Sequence, residues 1–148
     1  MSYSEKIADK LNELLEKNYD AEAGYKNAAE KAKSVSLSGY FTSRAKDRYD
    51  FGHELKAEIR SFGQEPKKGT SLAGDVHRAW MDLKTAFSSD KEETVLEEAI
   101  RGEKAALEDY NEIIADTDLP PSTANLLIKQ RNSVQEALNQ AKALEVVA

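Results

Sequence analysis

Two pairs of residues have the types and spacing that point most directly to chemistry: Asn18 with Tyr25, and Glu103 with Tyr110, seven residues apart in each case. Seven residues are close to two helical turns, so both members of a pair leave the same helix face. Each pair interrupts an apolar stripe and therefore points at a core, where a polar group needs a partner. A carboxylate in that place can ligate a metal. Bundles that hold two iron or manganese ions use a Glu from each of two helices and a Glu-x-x-His from each of the other two. Glu103 fits the first kind of position, between Ile100 and Leu107. Asn18 fits its counterpart, but a neutral amide is a poor ligand there compared with a carboxylate.

The remaining ligand places carry the wrong groups. Between Phe41 and Leu55 stand Arg48 and Phe51, an Arg-x-x-Phe; between Leu127 and Leu138 stand Arg131 and Val134, an Arg-x-x-Val, with Gln130 an equally good inward residue. Cations stand where metal ligands are expected. The expectation is a buried polar network of Asn18, Tyr25, Arg48, Glu103, Tyr110, Gln130 and Arg131, in which Arg48 or Arg131 neutralises Glu103 and the two phenols complete the hydrogen bonding. No catalytic residue, metal or cofactor is assigned. The alternative is a degenerate metal site on Glu22 and Glu103, helped by Asp50, His53 or His77. Asp50 and His53 form an Asp-x-x-His, but at 100° per residue they point away from the stripe of Arg48, Phe51 and Leu55. His77 lies three residues before Trp80 and is expected to bond a carbonyl or cap the bundle.

Four helices must position these residues. Ile7, Leu11, Leu14, Asn18, Ala21, Tyr25, Ala28 and Ala32 alternate spacings of four and three, which predicts a helix from about Ser4 to Lys33. Ser2 and Glu5 supply a capping box at its start. After Ser34-Val35-Ser36 a second helix carries Leu37, Phe41, Arg48, Phe51, Leu55, Ile59 and Phe62 and stops at Gly63, with Pro66 beyond. The stretch from Glu65 to Asp90 is too long for a turn. Its Ala73, Val76, Trp80, Leu83 and Phe87 predict a short amphipathic helix within a crossover. A third helix begins near Asp90 or Lys91 and a fourth at Pro120 or Pro121, where a missing N–H costs nothing.

Two αα-hairpins joined by that crossover make an all-α four-helix bundle, a single domain over residues 1–148. An internal repeat agrees: Asn18 and Glu103, and likewise Tyr25 and Tyr110, are offset by 85 residues. With 40% hydrophobic residues, 32% charged, 7 Gly and 3 Pro, turn material is scarce and strands are disfavoured. The net charge of −6 without a Lys/Arg run argues against nucleic acid. With 0 Cys there is no thiolate chemistry and no disulfide frame. No signal-like or membrane-spanning apolar run stands out, so a soluble, cytoplasmic protein is expected.

Ala21-Glu22-Ala23-Gly24-Tyr25, the run from Glu54 to Ile59 ending in Gly63 and Glu65-Pro66, the segment His77 to Lys84, and Gly102-Glu103 before Tyr110 together resemble a family of uncharacterised bacterial four-helix-bundle proteins, a domain of unknown function grouped with ferritin-like folds. The resemblance spans nearly the whole chain. It implies a ferritin-like fold, a bacterial cytoplasmic setting and a stress-associated role, with no established activity to carry over. Ferritins themselves would imply iron oxidation, from which this chain departs at Asn18, Arg48, Phe51, Arg131 and Val134. The expected function is therefore a non-catalytic interaction or structural protein, a homo-oligomer with a dimer favoured. Ala8, Ala29, Ala99, Ala106 and Ala137 are expected to form a second, close-approach face for a partner helix.

Overall fold

The computed structural model describes residues 2–69, 92–116 and 118–147. These fold into four helices: α1 (Tyr3–Lys31), α2 (Val35–Ser61), α3 (Glu92–Asp116) and α4 (Pro121–Val147). Among the described residues there is no strand. The short helix expected around Trp80, together with His77 and the Asp90 cap, lies outside the described residues.

Local chemistry sets the helix ends. Ser2 Oγ accepts from the Glu5 N–H at 3.2 Å, which is the N-cap half of the expected capping box, while the Glu5 carboxylate accepts from the Ser2 hydroxyl and not from a backbone N–H. Ser34 caps α2 by accepting from the Leu37 N–H at 3.1 Å. Between them α1 stops two residues earlier than expected, because Ala32 turns extended at φ −66° and ψ 133°. At the far end of α2, Gly63 adopts φ 75° and its N–H bonds the Arg60 carbonyl at 2.9 Å. Only a residue without a Cβ enters that left-handed region freely, so the glycine ends the helix.

The hydrogen bonds between helices fix the topology. Asn18 reaches Tyr110 and Tyr25 reaches Glu103, so α1 and α3 run antiparallel. Tyr40 bonds the Ala137 carbonyl and Thr123 bonds Glu58, which makes α2 and α4 antiparallel as well. The hairpins α1–α2 and α3–α4 pack most extensively, and every neighbouring pair is antiparallel. After α2, Asn12 holds the backbone at both Glu65 and Lys67, near Ile7 and Leu11. The beginning of α3 instead places Val95 and Leu96 with Ala28, Leu37 and Phe41 at the opposite end. The two hairpins are therefore joined by a crossover, not a turn.

Burial divides the interior into two apolar clusters. One gathers Ala21, Tyr25, Phe41, Leu96, Ala99 and Leu138; the other gathers Ile7, Leu11, Leu15, Leu55, Leu127 and Val134. Each buried leucine or isoleucine contributes roughly 1.5–3 kcal/mol. The alanines expected on an outer face do not form one. Ala8, Ala99 and Ala137 are buried, and Ala29 and Ala106 pack against the core, because heptad spacing puts them on the edges of the same stripes.

A buried guanidinium–carboxylate centre as candidate functional site

Between the two apolar clusters lies a polar layer to which all four helices contribute. The Asn18 stripe on α1 and the Glu103 stripe on α3 face one another antiparallel. The seven-residue pairs therefore meet crosswise: Asn18 Nδ2 donates to the Tyr110 hydroxyl at 3.1 Å, and the Tyr25 hydroxyl donates to Glu103 Oε1 through a short hydrogen bond. Arg48 of α2 enters the middle. Its Nη2 donates to Glu103 Oε1 and its Nη1 to Asn18 Oδ1, both at 3.0 Å.

The pair is out of reach of solvent, with Glu103 at 0% and Arg48 at 4% side-chain exposure. Such a pair is held by charge-assisted hydrogen bonds in a region where neither ion can be hydrated. A directional chain leads away from it. Arg48 donates to Asn18, Asn18 to Tyr110, Tyr110 to Gln130 Oε1 at 2.6 Å, and Gln130 Nε2 to Glu54 Oε1 at 3.3 Å. Every donor points the same way, from a buried cation towards a carboxylate that Lys129 meets at 3.1 Å. Aligned bonds of this kind polarise and strengthen one another. Asn18 Nδ2 and Gln130 Nε2 are further anchored on the Leu14 and Phe51 carbonyls.

The electrostatics follow from the burial. Burial, then the Glu103 charge, pushes the Tyr25 phenol well above its ordinary range. Burial likewise raises Tyr110, to about 12, against the lowering influence of Arg48. Burial works against the charged form of Arg48, but Glu103 and the tyrosines outweigh it and hold the guanidinium above its ordinary value. At neutral pH the centre therefore holds a charged guanidinium beside Glu103, with neutral phenols around it.

Of the residues singled out in the sequence, Asn18, Tyr25, Arg48, Glu103, Tyr110 and Gln130 meet in this layer. Arg131 does not. It bonds Asn111 and its neighbour Asn132 at the surface, because Thr123, Leu127, Gln130, Val134 and Ala137 hold the buried face and a one-residue step turns a side chain 100° away. Of the two arginines, Arg48 is the one that pairs with Glu103. Glu22 pairs with Lys26 at 2.8 Å, and Asp50 with Lys46 at 3.1 Å. His53 is exposed and stacks edge-on against Tyr49. Sequence reasoning missed Glu54, the end of the donor chain; its position beside Leu55, at the rim of the α2 stripe, was the available signal. It also missed Asn12 and Thr123, both buried.

The residues do not fit a di-metal centre. The layer offers one buried carboxylate, whose Oε1 already accepts from Arg48 and Tyr25, and a fixed cation occupies the space a metal would need. Among the described residues no group of three or more His, Cys, Asp or Glu stands close enough to hold a metal ion. One atom is left over: Glu103 Oε2 is buried and has no hydrogen-bond partner among the described residues.

Residues 6–116 match the model of the family described as a domain of unknown function (DUF2383). The chain belongs to this family. Among solved structures, a mutant of Mycobacterium smegmatis Dps1 is similar in fold, with a TM-score of 0.76 and 16% sequence identity over 98% of this chain and 99% of that one. At that identity the likeness is one of fold. No curated protein matches the chain in sequence. This DUF2383 member is thus an all-α, ferritin-like bundle. No helix among the described residues is long and apolar enough to cross a membrane.

Proposed function

We propose that this protein is a ferritin-like bundle whose central site has become a self-neutralised guanidinium–carboxylate centre, and that it works as a non-catalytic structural or interaction protein. The observation that carries this reading is Arg48, which bonds Asn18 and Glu103 at once from the middle of the bundle. A covalently supplied cation does for Glu103 what a metal would do. A bacterial, cytoplasmic, stress-associated setting for a single domain is part of the same reading, supported by the family resemblance and the bacterial neighbour. No cofactor and no nucleic acid are required. A second copy is the favoured partner: Val35 and Val146, 90% and 84% exposed, stand at one end of the bundle, where the start of α2 lies against the end of α4.

The unpartnered Glu103 Oε2 favours a second reading, a degenerate metal site. Elemental analysis after anaerobic purification and incubation with ferrous, manganous or zinc salts separates the two. The expected content is below roughly a tenth of an equivalent per chain. Stoichiometric metal that disappears in Glu103→Gln overturns the first reading in favour of the second.

A further inference from the structure

The polar layer joins two related hairpins, and its charges are divided unequally between them. Asn18, Tyr25, Arg48 and Glu54 belong to α1–α2; Glu103, Tyr110 and Gln130 belong to α3–α4. The bonds that close the centre run from one hairpin to the other, except those from Arg48 to Asn18 and from Tyr110 to Gln130. The contacts of α1 with α3 are also symmetric in kind, since each helix offers a polar residue and a tyrosine seven places on. A second α1 could meet α1 in the same crosswise way, Asn18 to Tyr25 and Tyr25 to Asn18, with every neutral group bonded. The repeat therefore leaves a competing arrangement in which each hairpin pairs with its own copy in another chain.

We infer that the Arg48–Glu103 pair decides which hairpin pairs with which. Pairing α1–α2 with a second α1–α2 brings two Arg48 guanidiniums into a layer that holds no Glu103. Pairing α3–α4 with its copy buries two Glu103 carboxylates with no cation. Only the union of unlike hairpins gives the two fully buried charges, Arg48 and Glu103, a counter-charge, Glu54 being a third exposed at the rim and paired with Lys129. The pair therefore selects that union and excludes the two-chain assembly of like hairpins. A buried polar group that fixes pairing at the expense of stability is a known use of such residues. This role concerns pairing alone and stands whether or not Glu103 also meets a metal.

The test uses the full chain with Ala21→Cys as reporter. The protein has 0 native cysteines, Ala21 is buried, and it lies nearly midway between Asn18 and Tyr25, next to the axis of an α1–α1 pair. In the reporter background, Arg48→Leu/Glu103→Leu is expected to raise the yield of inter-chain disulfide at least fivefold after refolding. Its mass by light scattering is expected to rise above that of the parent at the same concentration, because pairing of like hairpins joins chains in addition to any contact through the bundle end at Val35 and Val146. The charge-swapped Arg48→Glu/Glu103→Arg keeps the layer neutral only for unlike hairpins and is expected to match the parent in both readouts. Parent-like disulfide yield and mass in the double leucine variant overturn the inference. Should that variant not fold, Arg48→Gln/Glu103→Gln carries the test: it removes both charges of the pair, so neither pairing is penalised, while keeping polar groups for Asn18 and Tyr25. Failure to raise the disulfide yield there counts equally against the inference.

Discussion

Glu103→Gln should change sign with its background. In the parent protein the substitution removes the anion facing Arg48 at 3.0 Å and leaves a guanidinium, 4% exposed, without a counter-charge in the layer. Breaking a buried pair from one side costs ~3–5 kcal/mol. The glutamine keeps an oxygen for the Tyr25 hydroxyl, so the loss should sit near the lower bound. In Arg48→Leu the situation is reversed. The first substitution, at a similar cost, strands the Glu103 carboxylate and takes the donor from Asn18 Oδ1, worth about another 1 kcal/mol. Adding Glu103→Gln then removes a stranded charge and should restore ~2–3 kcal/mol. At roughly 2–4 °C per kcal/mol for a chain of this size, Arg48→Leu should melt about 12 °C below the parent and the double variant only about 6 °C below. Urea unfolding followed by far-UV circular dichroism at dilute protein concentration gives the same free energies, with the m value checking that unfolding stays two-state. If Glu103→Gln is destabilising in both backgrounds, or the two substitutions add within ~0.5 kcal/mol, the pair is not the centre of the layer.

Alkaline stability follows from the phenols. Burial raises Tyr25 and Tyr40 as well as Tyr110, the last from 10.0 to about 12, so the folded state keeps protons that the unfolded chain releases. That stabilisation is complete below pH 10 and is lost as pH rises towards 12, by about 3 kcal/mol for Tyr110 alone; Tyr110→Phe should flatten the decline in urea midpoint over that window. The two residues competing for the α4 position should also separate. Gln130→Leu removes the acceptor of Tyr110 and should cost ~1–3 kcal/mol, whereas Arg131→Ala, whose bonds lie at the surface, should stay within ~0.5 kcal/mol; equal midpoint shifts would contradict the placement of α4.

Much of this was legible before any coordinates. The four-three spacing of Ile7, Leu11, Leu14, Asn18, Ala21 and Tyr25 fixes one face of α1, and Ser2 and Glu5 fix its start, because both are properties of a few neighbouring residues. Gly63 ends α2 for an equally local reason. The α4 stripe was less clear: Leu127 and Val134 allow Gln130 or Arg131 between them, three or four places on. The Ala8 and Ala99 faces were misplaced because an alanine gives no strong signal of which way it points.

Sequence alone determined the four described helices and several of their inward polar residues, Asn18, Tyr25, Glu103 and Tyr110 among them, since periodicity and residue type are carried by each helix separately. Which charge meets which was decided by the tertiary structure. The antiparallel crossing of α1 and α3 sets Tyr25 on Glu103 and Asn18 on Tyr110; the approach of α2 puts Arg48 on both; the rotation of α4 brings in Gln130 and sends Arg131 to solvent. Those outcomes depend on the angle and register between helices, which arise only when all four stripes are buried together. One-dimensional spacing cannot express them.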